Sequence, residues 1–508
     1  MTNFQSNART VILIAITLLY FTHGFTQNKW DKAIEEVLPQ TLKTHREFVS
    51  MRNVASNHED MHKNLTWATK EFEKRAFSVR LLESSTLPVF LAERQVSKKA
   101  KTVLFYLHID GQAVNPDKWD QEDPFIPVLK EADEKGNWST IDWSNIDKGI
   151  NPDWRIFGRA AADDKAPIMM MLTALDLLEN ARTKLKYNIK IILDSQEEAG
   201  SEGFLSTLEK YKADYTADYM LIFDGPAHPT NKPTLTFGCR GIAQCNITVY
   251  GAKLPQHSGH YGNYAPNPVF SMAHLLSGMK DKTGKVTIEG YYDGITLSQE
   301  VTALLKDVPD NDVEILKGLG INKADAVGNG YQESLQYPSL NVRHIETSWK
   351  GPGLKTIIPE ITTAYLDLRL VVETDGTTLI EKIKKHIEQQ GYLVLDREPT
   401  DQERLTYPKI AKVAANPGVN AFRTELDSEI GQKLVSSLEK EFGQEPIKIR
   451  TMGGTVPIIP AINALDIPAI IVPLVNMDNN QHNPNENIRV GNIAQGIKVC
   501  MVILTMDL

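Results

Sequence analysis

Two glutamates, Glu197 and Glu198, stand side by side where the apolar run of "IILDSQEEAGSEG" ends. Like charges that close raise a carboxyl pKa, so the pair calls for something positive beside it. Other acids and histidines stand at comparable places. His108 and Asp110 follow "TVLFYL", Asp224 follows "DYMLIF", and Asp163 and Asp164 lie in "FGRAAADDKAP". His482 comes after "AIIVPLV" and a polar loop. A histidine with several carboxylates is a ligand set for Zn²⁺, or for Mn²⁺ or Co²⁺. The two histidines and their acids exceed what one tetrahedral zinc takes. They suit two ions about 3.5–4 Å apart, bridged by one carboxylate and a water. One of the adjacent glutamates would then ligate, and the other would stay free to take a proton from water. Singly, Asp163 or Asp224 reads as a cap or turn residue, and His482 as an exposed loop histidine. Together, at successive strand ends, they point to one site.

Such a site needs a scaffold that brings distant positions to one rim. Parallel α/β sheets do this, because their binding sites open beyond the carboxyl ends of the strands. "TVLFYLHID", "YNIKIILDS" and "DYMLIFDG" read as buried parallel strands, separated by the helical "APIMMMLTALDLLENAR" and "EGFLSTLEKY". The segment from Lys29 to Arg75 has a helical pattern. Between Gly111 and Trp154 a stretch rich in Asp, Pro and Trp reads as a long polar loop. From Gly241 the texture changes. "GIAQCNITVYGA" and "EITTAYLDLRLVVE" alternate with period two, and "NPVFSMAHLLSGM" between them and "TTLIEKIKKHIEQQ" after them read as helices. That predicts an antiparallel sheet with helices on one face. The C-terminal part returns to helix, buried strand and helix. The expected fold class is therefore α/β: a mainly parallel-sheet domain in two parts, residues 27–240 and 416–508, interrupted by an inserted α+β domain over 241–415.

The 508 residues exceed the size at which a single core stops growing, which agrees with two domains. A net charge of −9, with no basic run, argues against nucleic acid as a partner. Arg9 followed by the apolar Thr10–Phe21 predicts a signal peptide over residues 1–26 and export, with no stable membrane span after its removal. The alternative for that segment is a retained anchor. The three cysteines, Cys239, Cys245 and Cys500, read as buried free thiols.

"LHIDGQ", "GRAAADDKAP", "QEEAGSEG", "FDG", "GCRG", "HSGHYGN", "MGGTVP" and the late His482 form an ordered set. The chain in this respect resembles the M-twenty family of two-metal peptidases, such as carnosinase, carboxypeptidase G and aminoacylase. The motifs are most similar to those of the carnosinase-like dipeptidases. The resemblance implies a bridging Asp163, with His108 and Asp224 at one metal ion and Glu198 and His482 at the other. It implies Glu197 as general base, Asp110 as the group that holds the His108 ring, and a cis peptide between Asp163 and Asp164. It implies that His257 stabilises the oxyanion in the neighbouring subunit of a homodimer, and that the insert serves as lid and dimerisation domain. Arg369 would grip the substrate carboxylate, and Gly453 and Gly454 would face the substrate's C-terminal end. The implied activity is hydrolysis of dipeptides or short peptides with a free C-terminal carboxylate, by hydroxide made on the ions. Two readings compete: an N-acyl-amino-acid deacylase, and a non-catalytic peptide-binding relative. The sequence departs from the family at Ala160 and Ala166, where members usually carry glycine, and in the length of the segment before "GRAAADDK".

Overall fold

The computed structural model describes residues 29–508 apart from 352 and 354, so the signal peptide expected over 1–26 lies outside the described residues. Strand Thr102–His108 shows how the main sheet forms. Val103, Phe105 and Leu107 enter one apolar cluster and Leu104 and Tyr106 enter another, so both faces are buried. A strand apolar on both sides must be covered on both sides, which is what a central parallel strand requires. It pairs in parallel with Asn188–Asp194 and Tyr219–Ile222. Ala469–Ile471 then pairs in parallel with Tyr219–Ile222. The carboxyl ends of these four strands consequently share one rim. Strands Ser78–Leu82 and Val89–Arg94 extend one edge antiparallel, and Thr234–Thr236 and Ile447–Ile449 complete the other. Helices Lys29–Val49, Lys165–Asn180, Glu429–Phe442 and Val490–Thr505 contribute to the first cluster. Helices Glu202–Tyr211 and Ile459–Leu465 contribute to the second.

A five-stranded sheet forms separately from Ser339–Thr347, Ile361–Leu370, Gly241–Tyr250, Ile410–Val419 and Leu393–Leu395, in that order. Ala243, Cys245, Ile247 and Val249 enter its own core with helices Pro268–Ser277 and Gly376–Gln389. The expected antiparallel pairing holds except at one edge, where Leu393–Leu395 runs parallel to Ile410–Val419. Helix Asp401–Thr406 lies in the connection between them, and a crossover of that kind makes the parallel register reachable. The chain crosses between the two sheets at Gly238–Cys239 and Phe422–Arg423, which pair with each other. Gly241 must be glycine at this crossing, since a Cβ there would stand 2.2 Å from the Val419 carbonyl oxygen.

The stretch from Gly111 to Trp154 is not the structureless loop expected. Val128–Ala132 and Trp138–Ile141 form a hairpin that joins Arg155–Phe157 and Asn487–Arg489 in a four-stranded antiparallel sheet. Trp138–Ile141 is exposed along most of its length, so it carries no hydrophobic alternation to read. The three cysteines are free and buried, as expected. Among the described residues no helix is long and apolar enough to cross a membrane.

Candidate metal centre

The rim gathers the acids and histidines. His108 ends its strand, and Glu197 and Glu198 lie in the 3₁₀ turn Glu197–Ala199 just after the neighbouring strand. Asp224 follows Tyr219–Ile222, and Asp163 precedes helix Lys165–Asn180. His482 stands in the loop after Ala469–Ile471, in the left-handed region at φ 62. The two oxygens of Asp163 face different partners: Oδ1 lies 2.8 Å from His108 Nε2, and Oδ2 lies 3.2 Å from His482 Nε2. His482 Nε2 is also 3.1 Å from Glu198 Oε2. Two groups of potential ligand atoms result, His108–Asp163–Asp224 and Asp163–Glu198–His482, each lying mutually within 4.8 Å. The Asp163–Asp164 peptide is cis.

The charges of the cluster act strongly on one another. Burial, and then the charge of Asp163, push the Asp224 carboxyl up to about 6. Burial pushes Glu197 well above the carboxylate range, and Asp224 and Glu198 add to it against the pull of His108. Bonds to Asp163 and Glu198 raise the His482 ring to about 10. Burial opposes charge on His108, but Asp110 and Asp163 hold it well above its ordinary value. Crowded carboxylates that draw up every imidazole in reach demand positive charge. Carboxylate oxygens and imidazole nitrogens, in two sets sharing one carboxylate, fit a pair of divalent cations of the zinc, manganese or cobalt kind.

Asp110 organises the rim. His108 Nδ1 lies 3.2 Å from its carbonyl oxygen and 3.4 Å from its Oδ1. The backbone N–H groups of Glu197 and Glu198 donate to Asp110 Oδ1 and Oδ2, at 3.0 and 3.1 Å. One buried carboxylate therefore sets both the ring of His108 and the turn that carries the two glutamates.

A second cluster is positively charged. Strand register sets Arg369 opposite Ile242, two residues past Arg240. Arg369 Nη1 donates to Thr455 Oγ1 at 2.7 Å, and Thr455 Oγ1 donates to the Arg240 carbonyl at 2.6 Å. Arg240 Nε reaches the Gly453 carbonyl at 3.4 Å, so both arginines converge on the turn holding Gly453 and Gly454. Burial and the charge of Arg369 push Arg240 down to about 10, against the opposing pull of Tyr331 and Asp367. Cys239, whose thiol burial pushes up to about 12, feels the charges of both Arg369 and Asp224, so the arginines and the acids are near one another. His257 stands apart: exposed, 4.9 Å from the His260 ring, its Nδ1 accepting from Gly259 N. Among the described residues no hydrogen bond or ion pair joins it to the acids of the rim.

The sequence profile of Peptidase family M20/M25/M40 matches residues 104–505. The chain belongs to this family. Among its relatives, the Beta-Ala-His dipeptidase of Mus musculus is 26% identical over 421 residues, 81% of this chain and 78% of that protein. The Cys-Gly metallodipeptidase dug1 of Schizosaccharomyces pombe is 25% identical over 443 residues, 84% and 85% of the two chains. The crystal structure of an M20 family metallo-carboxypeptidase, Sso-CP2 from Sulfolobus solfataricus, superimposes with a TM-score of 0.71 at 26% identity, covering 92% of this chain and 99% of that one. Membership carries the metallopeptidase assignment, and the neighbours carry the fold.

Within this M20 peptidase, sequence reading missed three groups at the site. Gln112 Nε2 donates to Glu198 Oε2 at 2.7 Å. Arg240 joins Arg369, a role its place in "GCRG" did not announce. Glu486, in the polar "NPNENI", is fully buried beneath the Asp163 turn. The departure at Ala160 has a cost: it sits at φ 60, a left-handed conformation worth about 1–2 kcal/mol against a residue with a Cβ. Ala166 lies inside helix Lys165–Asn180, where alanine is at ease.

The same turn rests on His45. Its buried Nε2–H donates to the Ala161 carbonyl at 2.9 Å, and burial holds the ring down at about 4. With the folded pKa below the unfolded 6.5, the unfolded chain binds the proton first as pH falls. This group costs nothing above pH 6.5, withdraws stability between 6.5 and 4, and levels off below; the total is roughly 3 kcal/mol. Denaturant melts of wild type and His45→Gln, which keeps a donor for Ala161, should diverge in pH sensitivity across that window. Parallel curves would remove His45 from the account.

Proposed function

We propose that the protein is an exported two-metal dipeptidase acting on dipeptides or short peptides with a free C-terminal carboxylate. The observation that supports this most directly is Asp163, whose two oxygens serve two ligand sets. His108 and Asp224 would hold one ion and Glu198 and His482 the other, with zinc favoured over manganese and cobalt by the imidazole ligands. Bound there, such ions would lower the pKa of water and polarise the scissile carbonyl. Glu197 accepts the proton of the attacking water and passes it to the leaving amine. Asp110 fixes the tautomer and direction of His108. Arg369, with Arg240 beside it, receives the substrate carboxylate, for which a guanidinium fork is suited, and the Gly453–Gly454 turn lines that end.

Arg369→Met should then raise KM for a dipeptide roughly 10–150-fold, from the loss of a charged hydrogen bond, with much less change in kcat. The amidated dipeptide should lose little, and equal losses on both substrates would remove the carboxylate role.

Residues 27–240 and 416–508 were expected to form the catalytic domain and 241–415 the insert; the sheets bury separate cores, and strand Ile410–Val419, which belongs to the insert's sheet, moves the second boundary to the crossing at Phe422–Arg423. A homodimer formed by the insert agrees with the exposed Val342 and Ile345 on the edge strand and the exposed Phe270 nearby in sequence to His257. His257 of one copy would then stabilise the oxyanion in the other. Mixing inactive His257→Ala with inactive Glu197→Gln chains should recover activity, because one site of each mixed dimer is complete; no recovery from co-refolded chains rules out the exchange. Export rests on Arg9 and the Thr10–Phe21 run, and N-terminal sequencing of protein from the medium or periplasm checks it.

The decisive experiment is a screen of zinc-, manganese- and cobalt-loaded protein over dipeptides and N-acyl amino acids, with metal content measured. Close to two ions per chain and dipeptide cleavage are expected. Preference for N-acyl substrates would make it a deacylase, and fewer than one ion with no amide hydrolysis a binding protein.

A further inference from the structure

We propose that Glu486 is a positioning residue that fixes Asp163, and His482 beside it, for the paired ions. The proposal rests on the reading of Asp163 as the shared ligand. Glu486 is 0% exposed, and an acid buried that deeply needs partners for both oxygens. Its Oε2 accepts from Arg159 Nη1 at 2.7 Å and from Ala160 N at 2.9 Å. Its Oε1 accepts from Ala162 N at 3.0 Å and from Asp163 N at 2.9 Å. The segment 159–163 is thus wrapped around a single carboxylate. The left-handed φ of Ala160 helps turn successive N–H groups inward, an anion-binding concavity that a side chain of the same protein fills.

The clamp also ties two ligand-bearing segments together. Gly158 N donates to the Glu486 carbonyl at 3.0 Å, and Arg159 Nη2 donates to the Asn483 carbonyl at 3.4 Å. Asn483 follows His482 directly, and His482 Nε2 and Asp163 Oδ2 are the atoms that face one another at 3.2 Å. Glu486 therefore governs both the bridging carboxylate, through its backbone N–H, and the spacing of one ligand set. Arg159 supplies the compensating charge and lies over the Trp119 ring at 5.2 Å. A purely structural ion pair would brace the fold equally with and without metal. A positioning residue would be felt in the metal affinity itself.

The test uses the full chain, stripped with chelator and titrated with zinc chloride, for wild type, Glu486→Gln and Glu486→Asp. Glutamine keeps the shape but aims an N–H₂ at donors. Aspartate keeps the charge but is one methylene short of the backbone N–H groups. Circular dichroism establishes folding, and melting temperature is read with and without zinc. The zinc concentration for half-saturation should rise about 10–100-fold in the variants, the range for groups that orient metal ligands. The zinc-induced rise in melting temperature should shrink accordingly, because that rise depends on the affinity. Should Glu486→Gln fail to fold, Glu486→Asp carries the same readout. Variants that melt lower without zinc, yet titrate and gain stability as wild type does, overturn the proposal while leaving the two-ion reading intact. A wild type that takes up no zinc overturns both.

Discussion

Asp163→Ala is expected to lower kcat/KM by at least roughly 10³-fold and to leave fewer than one tightly held ion per chain. Asp224 and Glu198 each belong to one ligand set, whereas Asp163 belongs to both, presenting Oδ1 to one and Oδ2 to the other. Removing Asp224 or Glu198 should weaken one ion and spare part of the other. Removing Asp163 takes a ligand from each and returns the carboxylates to mutual repulsion. Metal ions supply several kcal/mol of transition-state stabilisation, and each 1.36 kcal/mol is tenfold in rate. The variant should still fold, since the apolar clusters on either side of the sheet do not depend on this side chain. Inductively coupled plasma mass spectrometry after dialysis, with steady-state kinetics, gives the answer. An Asp163→Ala protein that holds two ions and turns over dipeptides would falsify the shared-ligand arrangement.

Why some of this was legible in the sequence, and some not, follows from how each residue reaches the rim. His108, Glu197, Glu198 and Asp224 stand within a few residues of parallel strand ends, so a general property of parallel sheets places them. His482 is harder, because a long loop with left-handed turns at Asn480, His482 and Asn485 separates it from its strand. It became legible through the order of motifs, not through local pattern. Glu486 was illegible: an acid among asparagines and a proline looks solvated, and only the fold of the 158–163 turn above it makes it buried. Arg240 and Gln112 share this trait, being chosen by neighbours hundreds or tens of residues away. The hairpin of Val128–Ala132 and Trp138–Ile141 was missed for a related reason: its outer strand buries almost nothing, and it forms because Arg155–Phe157 offers an edge. Patterns of burial predict what a core selects. They are silent where a backbone partner, not an apolar face, makes the choice.

The same distinction separates the two glutamates, and it decides the second large effect. They are chemically identical neighbours, both held at the backbone by Asp110. Their side chains diverge. Glu198 is committed, 3.1 Å from His482 and accepting from Gln112 at 2.7 Å. The Glu197 carboxylate makes no hydrogen bond among the described residues, yet it is held among the site's charges and pushed well above the usual carboxylate range by burial. A carboxylate that stands beside the ligand groups without a hydrogen bond of its own among the described residues is placed to take a proton and return it. Glu197→Gln should therefore reduce kcat roughly 10²–10⁴-fold, the contribution expected of a positioned general base, while two ions stay bound and KM moves little. Glu198→Gln, by contrast, should lose an ion together with activity. Measuring both variants for kcat, KM and ions per chain separates base from ligand. If Glu197→Gln keeps more than a tenth of wild-type kcat, or sheds metal as Glu198→Gln does, Glu197 is not the group that moves the proton.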